Sequence, residues 1–261
     1  MTTSKSNFSK PLILVTNDDG IDAKGINELI KMIDSLGEIL VVAPDSPRSG
    51  QSSAISSGYP LRLIPVEKKE DFTSFKTNGT PVDCIKLALN FLCDRRPDLL
   101  VSGINHGSNA GVSVVYSGTM GAAIEGAIVG IPSAGFSLCS HNPDANFSAC
   151  SDIVTFTCRK LLEQGLPQSV CLNINIPASD KINGVKVCRQ AHGYWTEEYD
   201  RRTDPYGKDY FWLTGQFINL EPDNEETDEW ALAHNYISVV PTTYDQSAIK
   251  YIDTTRNLFS E

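Results

Sequence analysis

The chain has 261 residues, 41% hydrophobic and 21% charged, which allows one large α/β domain or a domain with an appendage. A formal net charge of −10 offers no basic face to nucleic acid, and an anionic ligand would need local compensation that a bound cation can supply. Seven cysteines, an odd number without a Cys-x-x-Cys pair, argue against a disulfide framework or a zinc ribbon. Met1 to Lys10 lack the apolar core of a signal peptide, and no apolar run nears the roughly 20 residues that span a bilayer. The expectation is a cytoplasmic protein in a reducing compartment, with no membrane and no nucleic-acid partner.

Leu12-Ile13-Leu14-Val15 is an apolar run of strand length that ends in Thr16-Asn17-Asp18-Asp19-Gly20. A strand apolar on both faces is buried most easily in a parallel sheet covered by helices. In such sheets ligands sit beyond the carboxyl ends of the strands, where Asp18 and Asp19 fall. Adjacent carboxylates repel unless a cation compensates them, and hard divalent ions take oxygen ligands of this kind. An Asp-Asp-Gly turn that merely ends a strand accounts for the same residues.

Gly25 to Leu36 places Ile26, Leu29, Ile30, Ile33 and Leu36 on one helical face, and Glu38 to Pro44 reads as a second buried strand. Strand, helix, strand in this span is a βαβ unit. Asp45 to Gly58 is a Ser/Gly-rich loop that serves either as a ligand loop or as a solvated connection. Leu61 to Val66 and Phe72 to Lys76 read as edge strands around a charged tip. Thr80 and Pro81 open a helix as N-cap and first residue, with Val82, Ile85, Leu89 and Leu92 on its apolar face.

Asp98 to Gly103 is a third buried strand, followed by a loop of small and amide residues from Ile104 to Gly111. Ser117-Gly118-Thr119 opens a small-residue helix running from Met120 to Val129. Free N–H groups at such a start suit a phosphate, although small residues also serve close packing against a sheet. Ile131 to Ser137 and Val170 to Ile176 read as strands around a helix from Phe147 to Leu162. Beyond Pro177 the βα rhythm is lost, and Tyr194, Trp195, Tyr199, Tyr206, Tyr210, Phe211 and Trp212 crowd among charges before a last strand at Tyr236 to Val240. That aromatic density suits an interface, a stacking surface or a loose cover of the core.

Three strand ends are thus rich in oxygen: Asn17-Asp18-Asp19, Asp45 to Ser49, and Ser102 to Asn105. Converged on one rim, two carboxylates, a hydroxyl and an amide oxygen would make a hard-cation site with positions left for water and substrate. With a helix N-terminus beside it, the arrangement favours metal-assisted phosphoester hydrolysis, the ion lowering the pKa of a bound water.

Four ordered motifs resemble those of the SurE family of nucleoside monophosphate phosphatases. They are Thr16-Asn17-Asp18-Asp19-Gly20, Ala43-Pro44-Asp45 with Arg48-Ser49-Gly50, Thr77-Asn78-Gly79-Thr80-Pro81, and Ser102-Gly103-Ile104-Asn105-x-Gly107-x-Asn109-x-Gly111. Ser117-Gly118-Thr119, Thr227-Asp228 and Tyr236-Ile237-Ser238-Val239-x-Pro241 are similar too, so the resemblance runs from Pro11 to about Ser247. It implies a 5′- and 3′-nucleotidase, with exopolyphosphatase activity as an extension, dependent on one divalent cation per subunit, Mg²⁺ or Mn²⁺. The implied metal ligands are Asp18, Asp19, Ser49 and Asn105, with Asp18 and Asp19 catalytic. Asn17, Asn109, Ser117, Gly118 and Thr119 would lie near the phosphate.

The implied fold is a Rossmann-like, doubly wound, mostly parallel α/β sheet over residues 11–177. A C-terminal extension over 178–261, part of the same domain, would carry hairpins, the final strand and a tail used in a homodimer or homotetramer. His106 beside Asn105 suits proton donation to a leaving alkoxide, but a histidine that only lines the motif is the reading preferred. Arg48 serves either phosphate or solvent, and Asp45 orients its loop. The alternative function is a non-catalytic nucleotide- or metal-binding module. Absence of Gly-x-Gly-x-x-Gly after the first strand, and of a phosphate-loop Lys-Ser/Thr, disfavours dinucleotides and triphosphates. An aspartyl-phosphate mechanism wants a second Asp two residues beyond the first, where this chain has Gly20.

Overall fold

The computed structural model describes residues 10–179 and 181–260. The polar first nine residues, read above as lacking a signal peptide, lie outside them. A nine-stranded sheet organises the chain. Its first strand, β1 (Leu12–Thr16), is buried at every position. Parallel to it run β2 (Glu38–Pro44) on one side and β5 (Leu99–His106) on the other. Beyond β2 the edge is a hairpin of β3 (Leu63–Lys69) and β4 (Phe72–Thr77), antiparallel to each other, with β4 parallel to β2. Beyond β5 come β6 (Ser133–Cys139) and β7 (Val170–Pro177), both parallel.

Alternation along the central strands explains the layering. Ile13, Val15, Ile39, Val41, Leu99 and Val101 enter one core with α1 (Lys24–Ile33) and α4 (Ser151–Gln164). Leu12, Leu14, Leu40, Val42 and Leu100 enter another with α2 (Pro81–Leu87) and with Ala122 of α3 (Gly118–Ile128). Each fully buried Leu or Ile contributes on the order of 2 kcal/mol, so the sheet is held from both faces. Helix α2 starts as its sequence demands: Thr80 Oγ1 accepts the Asp83 N–H at 3.1 Å and an Asp83 carboxylate oxygen accepts the Thr80 N–H at 2.9 Å.

The region after Pro177 divides its strands between the sheet and two ribbons. β13 (Ile237–Thr243) pairs antiparallel with β7 and parallel with β8 (Val185–Val187), so this late segment builds the far edge of the main sheet. β9 (Gly193–Thr196) pairs with β12 (Gln216–Asn219), and β10 (Tyr199–Thr203) with β11 (Asp209–Leu213). Short helices α5 (Asp228–Ala233) and α6 (Ile252–Leu258) flank β13 in the chain. No helix among the described residues is long and apolar enough to cross a membrane.

Going outward from β1, the chain first fills one side with β2 and β4, then returns to place β5 on the other. The order reverses between β1 and β5. In open α/β sheets the crevice at the carboxyl ends beside such a reversal is where ligands bind.

Candidate functional site

Asn17, Asp18 and Asp19 leave β1 at that reversal. Asn17 is fully buried; its Nδ2 donates to the Gly20 carbonyl at 2.8 Å, which closes the turn, while its Oδ1 is buried without a partner. Asp18 is buried too, and its Oδ1 accepts a 2.5 Å hydrogen bond from the Thr119 hydroxyl. Burial pushes the Asp18 carboxyl up to about 6, with the neighbouring Asp19 adding to the rise and Thr119 opposing it. Asp19 is raised as well, chiefly by burial, against the His106 backbone N–H that points at its Oδ2 from 3.4 Å.

The second wall is the start of α3. Ser117 is its N-cap, and its Oγ accepts the Met120 N–H at 3.0 Å. A Cβ added to Gly118 would stand 2.8 Å from Asp18 Cβ, so only glycine lets the first helical turn press this close to the carboxylate. Thr119, fully buried, holds Asp18 through its hydroxyl, and its backbone N–H stabilises the same carboxylate. The positive end of the helix dipole therefore faces Asp18.

The third wall is the end of β5. The sequence alone suggests that this strand stops at Gly103, but it resumes past a register shift between Ser102 and Asn105 and ends at His106. Gly103, with φ of +128°, takes the irregularity. Asn105 Nδ2 donates to the Gly107 carbonyl at 2.9 Å, which leaves the amide oxygen as the free end. His106 packs edge-on against Phe147, centroids 5.1 Å apart, and its Nδ1 is buried without a partner.

Ser49 stands apart: exposed on the long loop, it is tied to the site only through Arg48, whose N–H donates to the Asp18 carbonyl at 2.7 Å. Arg48 Nη2 donates to Asp45 at 3.2 Å and to the Asn78 carbonyl at 3.0 Å, so Asp45 and Arg48 shape this loop together, while Arg48 Nε is buried without a partner. Asn109 is buried beneath the rim, its Nδ2 donating to Ser137 Oγ at 2.8 Å.

Under Asn109 lie two buried asparagines that the apolar pattern of their strand conceals. Asn175 Oδ1 accepts the Asn109 N–H at 2.7 Å, Asn173 Nδ2 donates to the Asn109 carbonyl at 2.8 Å, and Asn175 Nδ2 donates to Asn173 Oδ1 at 3.0 Å. The signal was two asparagines at alternate positions of a strand otherwise read as apolar. Buried amides need partners, and these find them in the loop above.

A cation fits this rim. Among the described residues no three His, Cys, Asp or Glu side chains cluster as metal ligands, so soft or imidazole-rich sites are out of place. One buried and one half-buried acid, with the Asn17 Oδ1 lacking a partner, suit a hard ion that binds through one or two carboxylates and keeps several waters.

Comparison with known proteins bears on the same rim. The family model described as Survival protein SurE matches residues 13–197. The chain is 50% identical over 248 residues to a protein of Phocaeicola vulgatus named 5'-nucleotidase SurE, covering 95% of this chain and 96% of that one. It is 51% identical over 244 residues to the protein of that name from Bacteroides thetaiotaomicron, covering 94% of each. The crystal structure of the SurE protein from Aquifex aeolicus superposes with a TM-score of 0.81 at 36% identity, covering 96% of this chain and 100% of that one.

Proposed function

This chain belongs to the SurE family, and from that premise we propose that it hydrolyses nucleoside 5′-monophosphates, and 3′-monophosphates, to nucleoside and phosphate in a metal-dependent reaction. It is a phosphomonoesterase of the 5′-nucleotidase class, as its relatives over nearly the whole chain are named. The observation that carries the reading is the pressing of the α3 N-terminus against the buried Asp18, beside the half-buried Asp19, at the sheet's reversal point.

Asp18, Asp19, Ser49 and Asn105 hold one divalent cation, Mg²⁺ or Mn²⁺, per subunit. When bound, such an ion supplies Lewis acidity, withdrawing charge from phosphoryl oxygens and making water more acidic. The remaining work falls to the chain. The Ser117 cap consumes the Met120 N–H, and the amide of Gly118 is left at the helix start for a phosphate oxygen. Thr119 fixes the Asp18 carboxylate, and the His106 N–H orients Asp19. Asn17 and Asn109 support the phosphate end from beneath, their amide donors bonded to the Gly20 carbonyl and Ser137 Oγ, while Ser49 approaches from the loop that Arg48 anchors to Asp18.

We place the protein in the cytoplasm, which its seven free cysteines support. We assign residues 178–261 to assembly into a homodimer or homotetramer. The exposed Tyr199, Tyr210, Phe211, Trp212 and Leu213 of the β10–β11 ribbon support this, as does a groove of about 1090 Å³ between β8, β13 and Ile124 of α3. Sedimentation of the full chain measures the assembly, and a monomer at micromolar concentration would end that assignment.

The deciding experiment for the activity is phosphate release from 5′- and 3′-nucleoside monophosphates and polyphosphate, with EDTA and then with added Mg²⁺ or Mn²⁺. The expected result is release that EDTA abolishes, the metal restores, and Asp18→Asn eliminates. Folded protein that binds metal but releases nothing would make it a binding module. Release unaffected by EDTA would remove the cation from the reading.

A further inference from the structure

The segment Asn109–Gly111 joins β5 to the start of α3, and each of its three backbone N–H groups ends on a side-chain oxygen. Asn109 donates to Asn175 Oδ1 at 2.7 Å, Ala110 to Ser108 Oγ at 3.1 Å, and Gly111 to Asp228 Oδ2 at 2.9 Å. The first two partners come from the sheet and from the loop itself. The third comes from α5, 117 residues downstream in the extension.

Asp228 is buried, with 1% of its surface exposed, and both of its oxygens are occupied. Oδ1 accepts the N–H groups of Ala191 at 2.8 Å and Glu229 at 2.9 Å, leaving Oδ2 for Gly111. Among the described residues no salt bridge reaches it; the backbone amides of Gly111, Ala191 and Glu229 hold the carboxylate. Packing adds an independent constraint. Gly111 has φ of +52°, and a Cβ there would come within 2.9 Å of the Phe217 ring of β12 and 3.3 Å of Glu229 Oε1. The extension thus bears on this point through a charged hydrogen bond and through direct contact. From Gly111 a single 3₁₀ turn to Val115 leads straight to the Ser117 cap.

We propose that Asp228 is a positioning residue of the phosphate site: through Gly111 it fixes where the N-terminus of α3 stands relative to Asp18 and Asp19. The inference rests on the functional reading given above. It couples the extension to catalysis within one chain, so the extension serves the reaction as well as any assembly. A carboxylate is needed because three N–H groups converge on it. Asparagine, of equal size, would turn its own NH₂ toward at least one of them.

The test compares full-length wild type, Asp228→Asn, Asp228→Glu and Thr227→Ala. Thr227 caps the same helix by accepting the Trp230 N–H at 3.3 Å, but it makes no bond to Gly111. Three readouts are taken: the melting temperature, kcat and KM with a nucleoside monophosphate, and amide hydrogen exchange over residues 109–121. Asp228→Asn is expected to lose tenfold or more in kcat/KM at a temperature where it is fully folded, and to speed exchange at 109–121. Thr227→Ala is expected to lower the melting temperature with kcat/KM within twofold of wild type. Asp228→Glu, which keeps the charge, is expected to recover part of the loss.

Asp228→Asn with wild-type kinetics and protected amides at 109–121 would overturn the proposal. So would equal kinetic losses in Asp228→Asn and Thr227→Ala, which would reduce Asp228 to a stabilising residue. A wild type that turns over no nucleotide would instead defeat the functional reading, and the exchange data would still decide whether Asp228 holds the loop.

Discussion

Thr119 Oγ1 stands 2.5 Å from Asp18 Oδ1, although the two residues are 101 positions apart in the chain. That bond joins the end of β1 to the start of α3 and lowers the pKa of a carboxyl that burial raises to about 6. A hydrogen bond to a charged group contributes about 1.5–3 kcal/mol net. Thr119→Val, nearly equal in shape, should therefore lower kcat/KM by roughly ten- to a hundredfold with secondary structure unchanged, whereas Thr119→Ser should keep most of the activity. Steady-state kinetics beside circular dichroism checks this. Equal activity in Val and Ser variants would show that the bond is idle in turnover.

Gly118 makes a second prediction about the same junction. Alanine suits a helix better than glycine by roughly 1 kcal/mol, so helix propensity alone would make Gly118→Ala stabilising. The added Cβ would lie 2.8 Å from Asp18 Cβ, a distance that forces either the helix or the acid to move. The melting temperature should shift by only a few degrees while kcat/KM falls about tenfold or more, since small misplacements at a reacting centre are costly. A melting curve and a rate measurement on one preparation separate the two effects. Undiminished activity would mean that the rim tolerates the displacement.

What was legible in the chain follows from which signals are local. The apolar runs of β1 and β2 announce burial on both faces, and Thr80-Pro81 and Ser117-Gly118-Thr119 announce helix starts, because strand burial and caps are written within a few residues. That the acids sit where the strand order reverses depends on β5 crossing back past β1, a property of the whole sheet. Gly103 reads as a breaker in the sequence, yet the strand resumes beyond it. Asn173 and Asn175 are hidden inside an apolar run, since their partner Asn109 is 64 and 66 residues away in the chain. β13 was legible as a strand, but its place between β7 and β8 was not, because neighbours in a sheet are chosen by tertiary packing.

Asp19 leads to a prediction with opposite signs for stability and activity. Its carboxyl is raised by burial, and its charge helps to raise that of Asp18, so the two acids disfavour each other when no cation is bound. Asp19→Asn removes the repulsion. In EDTA it should melt at or above the wild-type temperature, while nucleotide turnover falls by about a hundredfold or more because a charged ligand is gone. Titrating Mg²⁺ or Mn²⁺ during thermal melts should raise the wild-type transition and leave the variant nearly unmoved. An equal metal-dependent rise in both proteins would take Asp19 out of the ligand set.

Glu229 ties stability to pH at a point away from the acids of β1. Burial first, and then the neighbouring Asp228, push its carboxyl from 4.5 up to about 7. A folded-state pKa above the unfolded one means that the native protein binds the proton more tightly. Its contribution is complete below pH 4.5 and is lost as pH rises through about 7. Glu229→Gln keeps the neutral, hydrogen-bonding form at every pH. The variant should match wild type near pH 4.5, lose less stability between there and pH 7, and melt a few degrees higher above pH 7. Melting temperatures across that range, at constant ionic strength, give the two curves. Curves that stay parallel throughout would place the Glu229 titration outside this window and remove its part in the pH dependence of the fold.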